Sequence, residues 1–278
     1  MKWNPEPILA IFKMRLKVYS RYPGWIILDI IAPIIFSVIP FLFAVGIAGS
    51  LERAAEIFGN YAGTREFLFY IAIGSAVWGF STGITWDFGM WLYEELETGT
   101  LEQILLTPVK VYELLLGAIL YTAFISTINF FLSITIIAIL FNCLHYVLSI
   151  NFVLALLVVV LGIIPLMGLA LFFGALVLKL KEPWAFFNFL TAFMVFICGV
   201  FYPITILPPV ARAIAVVIPI TIAIADARAI IFHLNFIFNP KIDLILLIVY
   251  AFLWPLLGMH MYKRVEKELR QRGEITVF

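Results

Sequence analysis

Long apolar runs separated by short polar breaks set the rhythm of this chain. Six of them, 25–48, 67–93, 114–141, 152–178, 184–202 and 242–262, reach the roughly 20 residues that a helix needs to cross a bilayer core roughly 30 Å thick. A further stretch, 204–232, is as apolar but carries Pro208, Pro209 and Pro219 together with Arg212, Asp226 and Arg228. Proline removes a helical donor and clashes with the preceding turn. Irregular backbone is tolerated at membrane depth only where protein or water covers it. The segment 203–232 is therefore expected to form short re-entrant helices dipping in from the outer face. Alternating ten-residue strands of a membrane barrel are absent from the pattern. The predicted fold is an all-α membrane protein, one domain over 1–278 with six transmembrane helices.

Ahead of the first run, residues 7–22 carry the periodicity of an amphipathic interfacial helix. At 100° per residue Lys13, Lys17 and Arg21 share a stripe opposite Ile8, Ile11, Phe12, Val18 and Tyr19. Arg15 falls among the apolar residues and is expected to snorkel toward the headgroups. Pro23-Gly24 breaks this helix before the first span. A plain basic anchor is the alternative reading.

Composition agrees with the pattern: 64% of the 278 residues are hydrophobic and 13% charged, with a mean hydropathy of +1.10, far from the balance of soluble domains. A net charge of +1 says little about partners, and nothing in it points to nucleic acid. Its distribution says more. Six spans put both ends on one side, where Lys2, Lys13, Arg15, Lys17, Arg21, Lys110, Lys179, Lys181, Lys263, Arg264, Lys267, Arg270 and Arg272 gather, against Arg53, Arg65, Arg212, Arg228 and Lys241 on the other. The positive-inside rule places both termini in the cytoplasm. Cys143 and Cys198 make neither a disulfide framework nor a metal motif, and no Asn-x-Ser/Thr sequon occurs.

The break after the second run is the most informative. Residues 94–108 hold Glu94, Glu95, Glu97 and Glu102 around Thr98-Gly99. Thr100 followed by Gln103 is a capping-box spacing that starts a new short helix. Leu101, Ile104 and Leu105 give that helix one apolar face, and Pro108 ends it. A helix lying across the cytoplasmic membrane surface, fit to dock on something, is expected; a solvated loop is the bland alternative. Within the spans, Ser75, Ser81, Thr82 and Thr85 on the second, and Asn188, Thr191 and Phe193 on the fifth, are candidates to face a pathway. Gly79 and Gly83 have the spacing that lets another helix approach closely.

Several chemistries are missing. No Gly-x-x-x-x-Gly-Lys-Ser/Thr loop, His-Glu-x-x-His or Gly-x-Ser-x-Gly occurs. His145, His233 and His260 are scattered, so no catalytic, cofactor-binding or metal-binding residue is assigned. Asp29 and Asp87 lie toward the cytoplasmic ends of their spans, and no mid-membrane acid is paired with a base, which weakens an ion-coupled pump. The pattern points to a transport pathway whose energy comes from another chain. An ion-coupled transporter or channel, or a membrane assembly scaffold, is the alternative.

The run Glu94-Glu95-Leu96-Glu97-Thr98-Gly99-Thr100-Leu101-Glu102-Gln103-Ile104-Leu105-Leu106-Thr107-Pro108, followed by Glu113-Leu114-Leu115-Leu116-Gly117, resembles the cytoplasmic loop of the ABC-2 family of transporter permeases. Gly199 to Pro203, Leu207-Pro208, Pro219 and Arg228 resemble that family's second signature. The resemblance implies a six-helix transmembrane domain preceded by an elbow helix, in the cell membrane. Two such domains, either two copies or one with a paralogue, would form the pathway. Each would dock on a separate ATPase subunit that holds ATP and Mg. It also implies that this chain is not itself an enzyme and that the cargo is exported: a drug, lipid or lipid-linked glycan. Glu94, Glu95, Glu97, Gly99, Thr100, Leu101, Glu102 and Leu105 would form the coupling element. The carboxylates would meet basic residues of the ATPase, and Leu101 and Leu105 would fill an apolar groove. Spans two and five would line the pathway.

Overall fold

The computed structural model describes residues 6–99, 111–177, 180 and 183–272, which form helices and the turns between them, with no strand among them. Helix α1 (Glu6–Ser20) is the expected amphipathic helix. It lies on α6 (Val111–Leu140), with the Ile8 backbone tight against Gly117 and Phe12 edge-on to Phe124 at 5.7 Å. Pro23 then starts α2 (Pro23–Ala48), since a first-turn proline loses no helical hydrogen bond. Ser133 of α6 donates across to the carbonyl of Ile30 in α2 at 3.0 Å, a polar tie of the kind that holds membrane helices together.

Residues 49–66 carry no apolar run. The structure places α3 (Leu51–Ala62) there, its first turn capped by the Ser50 hydroxyl accepting from the Arg53 amide and its end closed by left-handed Gly63. These are ordinary start and stop signals in a stretch without an apolar run.

Helix α4 (Phe67–Gly89) is the central span. Its Phe69, Ile73 and Val77 pack into one core with Ile134 and Ile137 of α6, with Ile163 and Leu166 of α8 (Ile150–Val177), and with Ile220 and Ile224 of a later helix, Pro219–Phe232. The expected continuous span over 67–93 instead breaks at Met90, and α5 (Trp91–Glu97) follows as a separate short helix. Gly89 packs its backbone against Gly174 of α8 at this point, and the close approach pins the break. A single turn, α7 (Leu144–Val147), joins α6 to α8.

The expected fifth span is shorter than its apolar run. Helix α9 (Pro183–Ile197) has 15 residues, roughly 22 Å of rise, and stops before left-handed Gly199 and Pro203. A 3-10 turn (Ile204–Ile206) leads to α10 (Pro209–Val217) and α11 (Pro219–Phe232), which bend by 99° at Ile218. Each helix of this bent pair starts on a proline, so the prolines act as helix initiators as well as breakers. The last described element is α12 (Pro240–Arg272). Among the described residues five helices are long and apolar enough to cross a membrane, or six if the bent pair counts as one span. Helix α12 packs along α8, where Gly168 and Gly258 meet backbone to backbone. Small residues at such crossings let dispersion contacts replace the hydrophobic drive that lipid does not supply.

Candidate functional site

Two features stand out: the polar elbow after α4 and a cavity beside it. At the elbow, Met90 and Trp91 are buried, and the Trp91 Nε1 donates to Glu95 Oε1 at 2.9 Å, one turn on. The Thr98 hydroxyl donates back to the carbonyl of Glu94 at 2.8 Å, and Gly99 takes a left-handed φ of 72°. Together they terminate α5 as the Thr98-Gly99 pair leads one to expect. Its carboxylates do not act as one row. Glu95 is tied to Trp91, Glu97 is exposed, and Glu94 lines the cavity. Partial burial pushes the Glu94 carboxyl above the usual range; Arg15 opposes this, while Asp87, Glu95 and Glu97 add to it. Thr100, Leu101, Glu102 and Leu105 lie outside the described residues.

The cavity, about 640 Å³, lies among α1, α2, α4, α5, α6 and α9. On its α2 side stand Trp25 and Asp29; on its α4 side Ser75, Trp78, Thr82, Trp86 and Asp87; Tyr121 and Asn129 come from α6. The Tyr19 hydroxyl of α1 donates to Asp29 Oδ2 at 2.7 Å, and the Thr122 hydroxyl donates to Asp87 Oδ2 at 3.0 Å. Burial, with the Asp29 hydrogen bond and the charges of Asp29 and Asp87, pushes the Tyr19 phenol up to about 12, against an opposing bond from Asn129. Arg15, expected to snorkel toward the headgroups, lies beside the elbow and the cavity wall. Its guanidinium stands 6.0 Å from the Trp91 ring and 5.9 Å from that of Tyr121, within the field of Asp87 and Glu94. Aromatic faces and acids are the partners that suit a cation.

The candidate pathway residues divide. Ser75 and Thr82 line the cavity; Thr82 bonds the Trp78 carbonyl at 2.8 Å, whereas the buried Ser75 hydroxyl has no hydrogen-bond partner. Ser81 and Thr85 do not line it, donating instead to the carbonyls of Val77 and Ser81 within α4. On α9, Asn188 and Thr191 bond the carbonyls of Trp184 and Phe187, and Phe193 is exposed and stacked on Phe189. Gly79 and Gly83 are packing positions, the first against Pro33 of α2 and the second against Ser126 of α6. Sequence reasoning noticed Asp29 and Asp87 but not that they share one chamber with Tyr19 and Tyr121. The available signal was the rarity of acids within apolar helices.

Away from the cavity, the second signature is one assembly. Arg228 of α11 is fully buried and donates to the carbonyls of Tyr70, Gly199 and Val200. Asp226, two residues earlier, turns the other way and sets its carboxyl beside that of Asp243 at the start of α12. Among the described residues, no group of three or more His, Cys, Asp or Glu side chains could hold a metal ion.

Apolar helices around a large, part-polar chamber, continuing into a pinned polar elbow, define a multi-pass membrane protein. The ABC-2 type transporter family model matches residues 6–232. The chain belongs to that family: it is a membrane permease subunit of an ABC transporter, a transport subunit of a kind that normally pairs with an ABC ATPase. A search of curated proteins finds no match to the chain.

Proposed function

We propose that this subunit forms half of an export pathway for a hydrophobic or amphiphilic cargo in the cell membrane, with both termini in the cytoplasm. A separate ATPase, holding ATP and Mg, would grip the elbow at Glu94, Glu95, Glu97, Gly99, Thr100, Leu101, Glu102 and Leu105, and a second copy of the chain would complete the pathway. The observation that carries this reading is the rigid joint between elbow and span. Trp91 is 1% exposed, is held within α5 by its bond to Glu95, and follows directly on α4, whose residues wall the cavity. A push on the elbow therefore reaches the chamber through packed side chains, not through a slack loop.

The test is a charge reversal. The chain is purified in mild detergent with the ATPase that accompanies it, and Glu95→Arg is combined with Glu102→Arg. Co-purification and ATP turnover are expected to fall together. Unchanged association and turnover would exclude the elbow as the docking element.

A further inference from the structure

At about 640 Å³ the chamber beside α4 has the size of a small-molecule site, and its walls have a definite chemistry. Trp25, Trp78, Trp86, Trp184, Tyr19 and Tyr121 line it. Trp86 and Trp184 stack at 5.8 Å across the junction of α4 and α9. Such rings present negative faces that attract cations. Three carboxylates, Asp29, Asp87 and Glu94, also line the chamber, and none of its described lining residues is basic. Asp29 and Asp87 each accept from a neutral hydroxyl, not from a cation. The described cation that acts on this group is Arg15, which faces both Asp87 and Glu94. Among the described residues one guanidinium stands against three carboxylates beside aromatic walls, an excess of acidic groups that a bound cation would balance. Independently of charge, Ser75 is 1% exposed, lines the same chamber and has a hydroxyl oxygen without a partner. A buried hydroxyl left unsatisfied is costly, and a polar group on a ligand would supply the missing bond.

We infer that this chamber binds a lipophilic monocation: an apolar or aromatic body for the indole walls, one positive centre for Asp29 and Asp87, and a polar group for Ser75. The assignment rests on the proposed export role and narrows its cargo from any amphiphile to a cationic one. Helix α5 belongs to the elbow and, through Glu94, to the chamber wall, so an occupied chamber and a docked elbow share a structural element.

Tetraphenylphosphonium and tetraphenylborate match in size and differ in sign. Binding of each to the full chain in phosphatidylcholine nanodiscs is measured by equilibrium dialysis and tryptophan quenching, with empty nanodiscs subtracted. The phosphonium is expected to bind at least about tenfold tighter than the borate. Asp29→Asn and Asp87→Asn should each weaken it about tenfold, while Glu52→Gln on the exposed face of α3 should leave it unchanged. Equal affinity for the two ions overturns the inference, and so does wild-type binding by both Asp variants. Should either variant fail to fold, the comparison of the two ions on the wild-type chain still decides. The two readings fail separately. Loss of cation selectivity with an ATPase still co-purifying removes the monocation and leaves the powered permease. Selective phosphonium binding with no ATPase partner does the reverse.

Discussion

Arg228 donates from Nε to the carbonyl of Tyr70 at 3.0 Å while its guanidinium carbon stands 3.9 Å from the centre of the Tyr70 ring. The same side chain reaches the carbonyls of Gly199 and Val200, so one buried cation ties α4, the turn after α9 and α11. Gly74 leaves the room: a Cβ there would strike both the Arg228 guanidinium and the Val200 carbonyl. Arg228→Leu would leave three buried carbonyls without their donor, at about 1–3 kcal/mol each. Lysine has neither the planar fork nor the stacking face to replace it. Thermal unfolding in detergent should show losses of about 3 kcal/mol or more for Arg228→Leu, with Arg228→Lys close behind. Arg212→Leu, which removes bonds to carbonyls in an exposed segment, should cost clearly less. Equal losses at the two arginines would refute the clamp.

Gly168 and Gly258 hold α8 and α12 at backbone contact. A Cβ on Gly168 would overlap the backbone of Trp254 and Pro255, and one on Gly258 would overlap the Gly168 carbonyl. Backbone cannot rotate out of the way as a side chain can. Gly168→Val is therefore expected to cost at least the 1–3 kcal/mol or so typical of overpacking, and Gly168→Ala a substantial part of it. The same melting assay checks this; an alanine variant as stable as wild type would mean that the two helices separate freely.

The Asp226 and Asp243 carboxyls lie side by side, and the Oδ1 of each lacks a donor. Asp226→Asn would place an amide donor against Asp243 and remove one of two like charges. It should raise stability at pH 8 by about 1 kcal/mol, while Asp226→Ala should lower it. If asparagine is as damaging as alanine, the second carboxylate has a role that its neighbour alone does not explain.

The Tyr19 phenol, pushed up to about 12, sets a pH dependence whose sign follows directly. An unfolded tyrosine titrates near 10. Between about 10 and 12 the folded chain therefore holds a proton that the unfolded chain has lost, and stability declines as pH rises through that window. Below it Tyr19 contributes no slope. The stability gap between wild type and Tyr19→Phe should be constant up to pH 9 and should shrink at pH 11. A gap that stays the same at pH 11 would place the phenol in ordinary solvent.

Much of this molecule is decided by local pattern. Bilayer thickness and the 3.6-residue period convert apolar runs into helices whatever their neighbours, so the spans, the amphipathic α1 and the end of α5 at Thr98-Gly99 follow from the sequence alone. The proline-broken segment was legible for the same reason, because proline acts on its own turn. Arg15, Asp29, Asp87 and Arg228 could be picked out as unusual, but not placed. Which acids share a chamber, which carbonyls a buried guanidinium collects and where α9 stops depend on the rotation and approach of helices far apart in the chain. Those are set by small-residue contacts such as Gly89 with Gly174 and Gly168 with Gly258. Apolar residues point nearly all round each helix, so periodicity does not say which face turns inward. Only the packed tertiary structure, by matching backbone approaches and pairing the few polar groups, makes that choice.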